Sequence, residues 1–370
     1  MYMILSKKGF LDALSIGSLF AGGKIAATSN IKLKVKGGTL SVVSTDGNTF
    51  ISQKMDGPVE SDGDMAFCIE PGPLLGYVKY ITDDSITIDV GDGHAVIKHA
   101  NGKIELPVFS ADELVGKVAE QDMKSMDVDS EMLCKWIGNG SRMLTKDILR
   151  PILNGIYIYK QGYELGCCAS NTIAMYYAHC NMSSDGGVDD FGFVIDSACL
   201  KAIITAFATP EKLTMRVSKH SVIIKNAVTT MSCALIEGTY PNFKSVINKS
   251  VGKSHMCFDR NEFVLSLSRC SFGMGIRGTV RLESDESGYV DISSSDMDMG
   301  KSASETIKAD VLEGVSISFS YGYIKTIMSC LGGDEAHMSI AGDNLPVIIS
   351  DADGDGNELY VLMPVLSNCQ

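Results

Sequence analysis

Apolar and polar residues alternate in short stretches along most of the chain, for example over residues 86–89 (ITID) and 213–216 (LTMR). An alternation with a period of two predicts a strand with one buried face. Turn dipeptides such as Asp46-Gly47 and Asp92-Gly93 separate these stretches. We therefore expect hairpin connections and antiparallel sheets.

A helical period occurs in three segments, each directly after a strand-like stretch. Apolar residues recur there at i, i+4 and i+7, which predicts amphipathic helices with one buried face. The residues of these stripes are Leu74, Val78 and Ile81, then Leu200, Ile204 and Phe207, then Ile324, Met328 and Leu331. A second set of helices is predicted over residues 8–20, 130–144 and 260–272.

The same series of elements occurs three times. A turn glycine before a strand recurs at intervals of 124 and 126 residues, as Gly38, Gly162 and Gly288. The apolar residue that ends a strand before the amphipathic helix recurs at intervals of 126 and 124, as Ile69, Ile195 and Phe319. Apolar strand segments follow at 96–97, 223–224 and 347–348. Landmarks that share one period indicate a repeated structural unit.

We infer three homologous domains, at residues 1–120, 127–248 and 254–370, separated by polar stretches near 118–128 and 248–256. Each copy reads as a helix, three or four strands, a second helix and three or four strands. The predicted class is α+β, with antiparallel sheets and two helices that cover one face of each copy.

Composition restricts the function. The net charge of −13 disfavours non-specific binding to nucleic acid through a broadly basic surface. No apolar run reaches the roughly 18 residues of a membrane span, and the lysines follow the first apolar stretch instead of preceding it, unlike a secretion signal. The eleven irregularly spaced cysteines fit a reducing compartment. We expect an intracellular, cytoplasmic protein.

Positive charge recurs on the amphipathic helices. Lys201 and Lys325 are equivalent when the apolar stripes are aligned, and Lys79 lies one turn further along the same face. Each could be an ordinary solvated lysine. Their recurrence in an acidic chain indicates that charge is distributed unevenly, with acidic sheets and loops and a less acidic surface formed by the helices.

Two motifs fail their structural requirements. Residues 273–278 (GMGIRG) match a dinucleotide fingerprint, but a predicted helix precedes them and a strand follows, which is the reverse of the required order. The DADGDG segment at 351–356 resembles a calcium loop, but Leu362 occupies the position of the bidentate glutamate. We predict no metal and no cofactor.

No catalytic signature is present, which favours a binding or architectural protein. An enzyme is not excluded by this, because catalytic triads assemble from distant positions in a sequence.

Several segments resemble the bacterial-type β sliding clamp, the processivity subunit of replicative DNA polymerase. The motifs are RPILNG at 150–155, EGTYPNF at 237–243 and YVLMPV at 360–365, with looser matches at 22–24 (GGK) and 30–31 (NI). They occur in the family's order along the whole chain. The middle and C-terminal motifs are the more specific ones.

The resemblance implies a head-to-tail homodimer, a ring of six domains around double-stranded DNA, with sheets outside and helices inside. It implies a non-enzymatic protein of the cytoplasm and nucleoid that acts in DNA replication, with the replicative polymerase, the clamp loader and other proteins with clamp-binding peptides as partners, and no membrane. The DNA-facing candidates are Lys24, Lys79, Arg150, Lys201 and Lys325. A topologically linked ring needs only weak phosphate contacts, so an acidic exterior suits it.

The family also has a hydrophobic cleft between its middle and C-terminal domains that receives partner peptides. The residues carried over to this cleft are Leu153, Thr172, Ile173, Pro241, Val246, Tyr323, Pro346, Val347, Val361, Leu362, Met363 and Pro364. Leu153 and Val361 could equally be plain core residues. Met363 and Pro364 are harder to explain without a partner.

This chain departs from the family pattern at several positions. Thr172 and Ile173 replace a histidine and an arginine at the cleft rim, and Asp196 replaces a basic residue. Residues 367–370 extend past the usual end. These differences suggest a distant or viral member with its own partners. The alternative function is a clamp-fold scaffold that is not itself loaded on DNA. Phe272 is a candidate for the dimer interface.

Overall fold

The computed structural model describes residues 1–22, 26–113, 123–182, 189–284 and 287–366. Within these ranges one order of elements occurs three times. The first copy comprises β1 (Tyr2–Ser6), α1 (Lys7–Gly17), α2 (Ala26–Ser29), β2 (Ile31–Lys36), β3 (Thr39–Thr45), β4 (Thr49–Lys54), β5 (Glu60–Ser61), β6 (Met65–Ile69), α3 (Pro71–Tyr80), β7 (Ser85–Gly91), β8 (His94–His99) and β9 (Gly102–Phe109).

The second copy repeats this order without counterparts of α2 and β5 among the described residues. It comprises β10 (Lys124–Asp129), α4 (Ser130–Ser141), β11 (Gly155–Gln161), β12 (Glu164–Ser170), β13 (Ala174–Asn181), β14 (Phe191–Asp196), α5 (Ser197–Ala206), β15 (Lys212–Val217), β16 (Ser221–Lys225) and β17 (Thr229–Ile236). The linking helix α6 (Phe243–Ser250) follows. The third copy comprises β18 (Ser254–Asp259), α7 (Arg260–Cys270), β19 (Thr279–Ser284), β20 (Tyr289–Asp296), β21 (Lys301–Leu312), β22 (Val315–Ser320), α8 (Tyr321–Cys330), β23 (Glu335–Ile340), β24 (Val347–Asp351) and β25 (Glu358–Leu362).

Strand pairing follows one scheme in every copy. The first strand pairs with the strand after the second long helix, as in β1–β7, β10–β15 and β18–β23. The second strand pairs with the strand before that helix, as in β2–β6, β11–β14 and β19–β22. All these pairings are antiparallel. The predicted α+β class is confirmed.

The first helix of each copy begins at a polar residue that ends a strand. The Ser6 side chain accepts a hydrogen bond from the Gly9 N–H at 3.3 Å. Asp129 and Asp259 serve in the same way for α4 and α7, with Asp259 accepting from the Glu262 N–H at 2.7 Å. Such caps satisfy N–H groups that have no partner within the helix. These helices end two or three residues earlier than predicted.

The predicted apolar stripes face the core. Leu74 and Val78 of α3 are fully buried with Phe10 of α1. One stripe residue differs from the prediction: Ile204 is half-buried, and its neighbour Ile203 occupies the buried position.

Two further pairings join the sheet of one copy to that of the next. β4 pairs with β17, with Ile51 opposite Met231. β13 pairs with β25, with Tyr176 opposite Tyr360. We call these pairings the first junction and the second junction. In both, the fourth long strand of one copy (the two-residue β5 aside) pairs with the last strand of the following copy.

The chain divides into two compact units. The first comprises Met1–Lys135 with Ala198–Ile236 and contains the first junction; the second comprises Trp136–Ser197 with Glu237–Gln370 and contains the second. The division passes through the second copy because one of its sheets continues into β4 and the other into β25. The domain boundaries at 1–120, 127–248 and 254–370 stay a prediction.

The structure also shows where the two rejected motifs lie. α7 precedes the glycine-rich segment 273–278 and β19 follows it, in the order expected from the sequence. The acidic segment connects β24 and β25, and Asp351 accepts hydrogen bonds from the Gly332 and Gly333 N–H groups. In the described part of the chain, every helix is too short or too polar to cross a bilayer.

Candidate functional site

A concave apolar cleft of about 260 Å³ lies in the second unit. Its lining comes from the end of β12 and the start of β13, from the segment that leads into α6, and from the end of β25. The lining residues are Leu153, Ser170, Thr172, Ile173, Ala174, Met175, Tyr240, Pro241, Asn242, Phe243, Val246, Val361 and Met363. We call this site the cleft.

Aromatic stacking fixes the wall that leads into α6. The Tyr240 ring lies parallel to that of Tyr157, with centroids 4.7 Å apart. Phe243, the first residue of α6, contacts the rings of Tyr157, Tyr159 and Tyr177. Asn242 caps the helix by accepting a hydrogen bond from the Ser245 N–H at 3.2 Å. Aromatic pairs at these distances stabilise beyond their buried area, so this wall is well fixed before any ligand binds.

A charged contact holds the same helix on the sheet. The Lys244 Nζ lies 2.9 Å from the Glu164 carboxylate and 4.9 Å from the centroid of the Tyr159 ring. The Tyr159 hydroxyl also donates to Glu164. Burial by itself would raise the pKa of Glu164, but the hydrogen bonds from Tyr159 and Lys244 lower it below its ordinary value. The carboxylate is therefore ionised at neutral pH and holds both donors.

The tight turn between β12 and β13 forms the rim of the cleft. The Asn171 Oδ1 accepts hydrogen bonds from the N–H groups of Ile173 and Ala174, at 3.0 and 2.8 Å. The Thr172 N–H donates to the Ser170 Oγ at 3.1 Å. Thr172 has a φ of 75°, a left-handed conformation that costs a β-branched residue free energy. The hydrogen bonds of the turn hold this strained backbone in place.

The C-terminal strand closes the other side of the cleft. The Met363 N–H donates to the Ile173 carbonyl at 2.8 Å, which extends the second junction by one bond to the rim. Val361 is buried, whereas the Met363 side chain is 37% exposed. The cleft therefore has a buried apolar floor and an exposed apolar edge, which suits a short peptide segment with apolar side chains.

Known proteins share this architecture. No family model matches the sequence. The chain is 24% identical to the protein named Beta sliding clamp of Rickettsia felis, over 98% of this chain and 99% of that protein. It is 22% identical to the Beta sliding clamp of Caulobacter vibrioides, over 92% of both chains.

Solved structures give the same result. A DNA polymerase sliding clamp of Pseudomonas aeruginosa matches with a TM-score of 0.91 and 17% identity, over 99% of this chain and 100% of that one. A DNA polymerase sliding clamp of Bacillus subtilis matches with a TM-score of 0.91 and 19% identity, over 99% of both chains. The chain is a divergent relative of the β sliding clamps and has their fold.

The residues predicted for a peptide cleft lie in several settings. Seven predicted residues line the cleft, namely Leu153, Thr172, Ile173, Pro241, Val246, Val361 and Met363. Tyr323 lies beside the rim, where its hydroxyl accepts a hydrogen bond from the Asn171 amide at 3.2 Å. Val347 and Leu362 are fully buried, and Pro346 and Pro364 are half-buried outside the lining. Alternation along β24 and β25 explains the burial of Val347 and Leu362, because successive residues face opposite sides of a sheet.

Six lining residues were missed from the sequence. Tyr240, Asn242 and Phe243 belong to the EGTYPNF motif and could have been read from it together with Pro241. Ser170, Ala174 and Met175 flank the predicted pair at the rim. These three residues line the cleft because of the tight turn, and we found no residue pattern in this segment that predicts the turn.

The cations predicted to face DNA in the clamp fold occupy different local settings. Lys79 and Lys201 are exposed on α3 and α5. Lys325 is half-buried on α8 and donates to the Tyr321 hydroxyl at 2.8 Å. Arg150 is exposed, with its Nε 2.9 Å from the Asp147 carboxylate. The N–H of Leu149, together with Arg150, lowers the pKa of Asp147 below its ordinary value.

The described residues include four of these five cations; Lys24 lies outside them. Lys201 and Lys325 are both the fifth residue of their helices, whereas Lys79 is the ninth of α3. This agrees with the alignment made on the apolar stripes. The C-terminal extension 367–370 also lies outside the described residues.

Proposed function

We propose that this protein is a DNA sliding clamp, a homodimeric ring that encircles duplex DNA and tethers the replicative polymerase for processive synthesis. It performs no catalysis, and partner proteins, including the clamp loader, dock peptides in the cleft. Such a protein acts in the cytoplasm, on the nucleoid. The observation that carries this proposal is the repeated junction, which leaves two matching strand edges without a partner among the described residues.

The unused edges follow from the pairing scheme. By the rule of the two junctions, β21, the fourth strand of the third copy, should pair with the last strand of a following first copy, which is β9. Among the described residues, Lys301–Lys308 of β21 pair with β20 on one side, and Gly102–Pro107 of β9 pair with β8 on one side. Two molecules that join β21 to β9 twice would close a ring of six copies, because a head-to-tail contact closes when its rotation allows.

Helix contacts at the second junction indicate which side chains would meet at this interface. The Arg142 guanidinium, just after α4, contacts the Ser329 Oγ of α8 at 3.1 Å. Counted from the start of each helix, Phe272 after α7 is equivalent to Arg142. Lys79 near the end of α3 is equivalent to Ser329. Phe272 is 83% exposed, and Tyr80 beside Lys79 is 82% exposed. Large exposed aromatic side chains at one equivalent position and next to the other support an interface in which Phe272 of one protomer meets Tyr80 of its partner.

Lysines on the second helices suit contact with DNA. Lys79, Lys201 and Lys325 lie on the polar faces of α3, α5 and α8, opposite the buried stripes. In a chain with a net charge of −13, three such cations per protomer attract phosphates weakly. Topological linkage then retains the ring, and weak contacts allow it to slide. Lys24 and Arg150 are further DNA-facing candidates.

A retention assay tests this proposal directly. The protein is loaded with a clamp loader onto nicked circular DNA and passed through a sizing column at 0.2 M salt. Retention on circles, followed by loss when the circles are cut to linear molecules, is the expected result. Dimers that bind peptides but are never retained on circles would favour the scaffold instead. Charge reversal of Lys79, Lys201 and Lys325 together should lower retention without changing dimer formation.

A further inference from the structure

The cleft contains no charged side chain among the described residues that line it. Two of its polar members serve the fold, since the Ser170 Oγ accepts from the Thr172 N–H and the Asn242 Oδ1 caps α6, and the hydroxyls of Thr172 and Tyr240 carry no charge. Building on the proposed function, we propose that the cleft selects a peptide segment that is apolar and uncharged throughout, and that Ile173 sets this preference at the rim.

The nearest cations along the chain do not supply a charge to the cleft. Arg150 precedes the segment that contains Leu153, and it is paired with Asp147 at 2.9 Å. Lys244 lies next to Phe243, but its Nζ is 2.9 Å from Glu164 and stacks over the Tyr159 ring. A peptide carboxylate at the rim would have to break one of these pairs to gain either cation.

The rim cannot easily rearrange to offer a different surface. Ile173 is held through its own N–H to the Asn171 Oδ1 and through its carbonyl to the Met363 N–H, at 3.0 and 2.8 Å. The Asn171 amide is itself tied to the Tyr323 hydroxyl at 3.2 Å. The backbone of Ile173 is thus fixed beside Met363, and its side chain is 44% exposed. A pre-ordered surface of this kind favours ligands that match it as it stands.

The chemistry of the ligand follows from desolvation. An aliphatic or aromatic side chain that covers Ile173 and Met363 removes apolar surface from water on both partners. An aspartate or glutamate at the same place loses water without gaining a cation from the lining. The structure therefore assigns to this rim a discrimination against acidic residues, which a basic rim residue would reduce.

The experiment uses fluorescence anisotropy with capped octapeptides that contain a central Leu-Leu-Phe. One peptide is uncharged, and the others carry a single aspartate at each flanking position in turn. The full-length protein should bind the uncharged peptide, and at least one aspartate position should weaken binding about tenfold. In Ile173→Arg, the ratio of the two dissociation constants should fall about threefold at that position, by a partly exposed ion pair.

Tyr163→Arg is the matched control, because Tyr163 is 60% exposed in a turn of the same copy and lies outside the cleft lining. It should leave the ratio unchanged, and Ile173→Lys should repeat the effect of Ile173→Arg. Equal binding of charged and uncharged peptides by the wild type would overturn the proposed selectivity while leaving a peptide cleft in place. Failure of every peptide, with normal retention on circular DNA, would overturn the cleft as a peptide site and this inference with it.

Discussion

The two junctions share one pairing geometry but differ in chemistry. At the second junction, Met175 lies opposite Val361 and Tyr177 opposite Leu359 on one face of the sheet. The equivalent pairs at the first junction are Phe50 with Ser232 and Ser52 with Thr230. One face is therefore apolar at the second junction and largely polar at the first.

This difference explains why the cleft lies where it does. The apolar face of the second junction packs with Phe243 and Ile247 of α6, in one cluster with Tyr159 and Cys168. Burial raises the pKa of the Cys168 thiol to about 12, so it stays neutral and acts as a core residue. Where α6 begins, the cover is incomplete, and Met175, Val361 and the rim remain as the cleft. The same strand pairing occurs at both junctions, but only the second junction has the apolar side chains that form the cleft.

The largest expected effect comes from the aromatic pair of the second junction. Tyr176→Ala should lower the free energy of unfolding by about 4 kcal/mol, because a large buried ring is replaced by a cavity. The ring is fully buried, lies 5.1 Å from that of Tyr360, and carries a hydroxyl that donates to Glu358 at 2.8 Å. Urea unfolding followed by circular dichroism measures the change. Tyr163→Ala, at an exposed position, should lower the free energy of unfolding by less than about 0.5 kcal/mol. Equal losses in the two variants would contradict a special contribution of the second junction to stability.

The proposed intermolecular junction should respond to a change at Phe272. Phe272→Asp is expected to weaken dimer formation by about 2 kcal/mol, or about thirtyfold in the dissociation constant, because it places a charge in an apolar contact. Sedimentation across a concentration series measures this. Ile148→Asp alters a residue that is 92% exposed elsewhere and serves as the control. An unchanged dimer in Phe272→Asp would exclude this side chain from the interface.

A buried polar pair should contribute to the stability of the first junction. The Thr229 hydroxyl donates to the Gln53 amide oxygen, and both residues are buried. Thr229→Val should cost about 1–2 kcal/mol because it leaves the Gln53 oxygen without its donor. The double variant Thr229→Val with Gln53→Leu should recover part of this loss, since both polar groups are then removed. Additive losses in thermal unfolding would show that the pair is not coupled.

A smaller effect should come from the contact that holds α6 on the apolar face. Lys244→Met removes the cation from Glu164 and Tyr159 but keeps the length of the side chain. Loss of a partly exposed ion pair should weaken peptide binding to the cleft by about threefold. Lys249→Met, in the last turn of the same helix, is the control. Peptide affinity that falls equally in both variants would indicate a general effect of charge.

The smallest effect concerns pH and the sheet that ends at the second junction. His255 Nδ1 and His337 Nε2 lie 3.0 Å apart, and burial together with His255 lowers the pKa of His337 below its ordinary value of 6.5. The folded state then binds fewer protons than the unfolded state, so this contribution is present above pH 6.5 and is lost as the pH falls through that value. His337→Gln should reduce the loss of stability between pH 7.5 and 5.5 by less than about 1 kcal/mol. An identical pH dependence in the two proteins would contradict a role for this pair.

Much of the fold could be predicted from local signals. Alternation, turn glycines and the stripe at Leu74, Val78 and Ile81 gave the elements and their threefold order, because these patterns reflect burial in each element by itself. The buried choice between Ile203 and Ile204 was not predictable, since both are apolar neighbours and packing decides between them. The cleft was found in part because its residues lie in motifs that resemble those of a known family. Ser170 and Met175 were missed because only the backbone turn brings them to the rim.

The sequence by itself determined the repeat, the antiparallel α+β class and the acidic balance of the chain, since each depends on residue type and spacing alone. The tertiary structure decided which strands join one copy to the next, because β13 and β25 meet across about 180 residues with no local signal between them. It also decided that Val361 faces the cleft whereas Leu362 faces the core. Successive residues of a strand point to opposite sides, and only the pairing partner fixes which side is which.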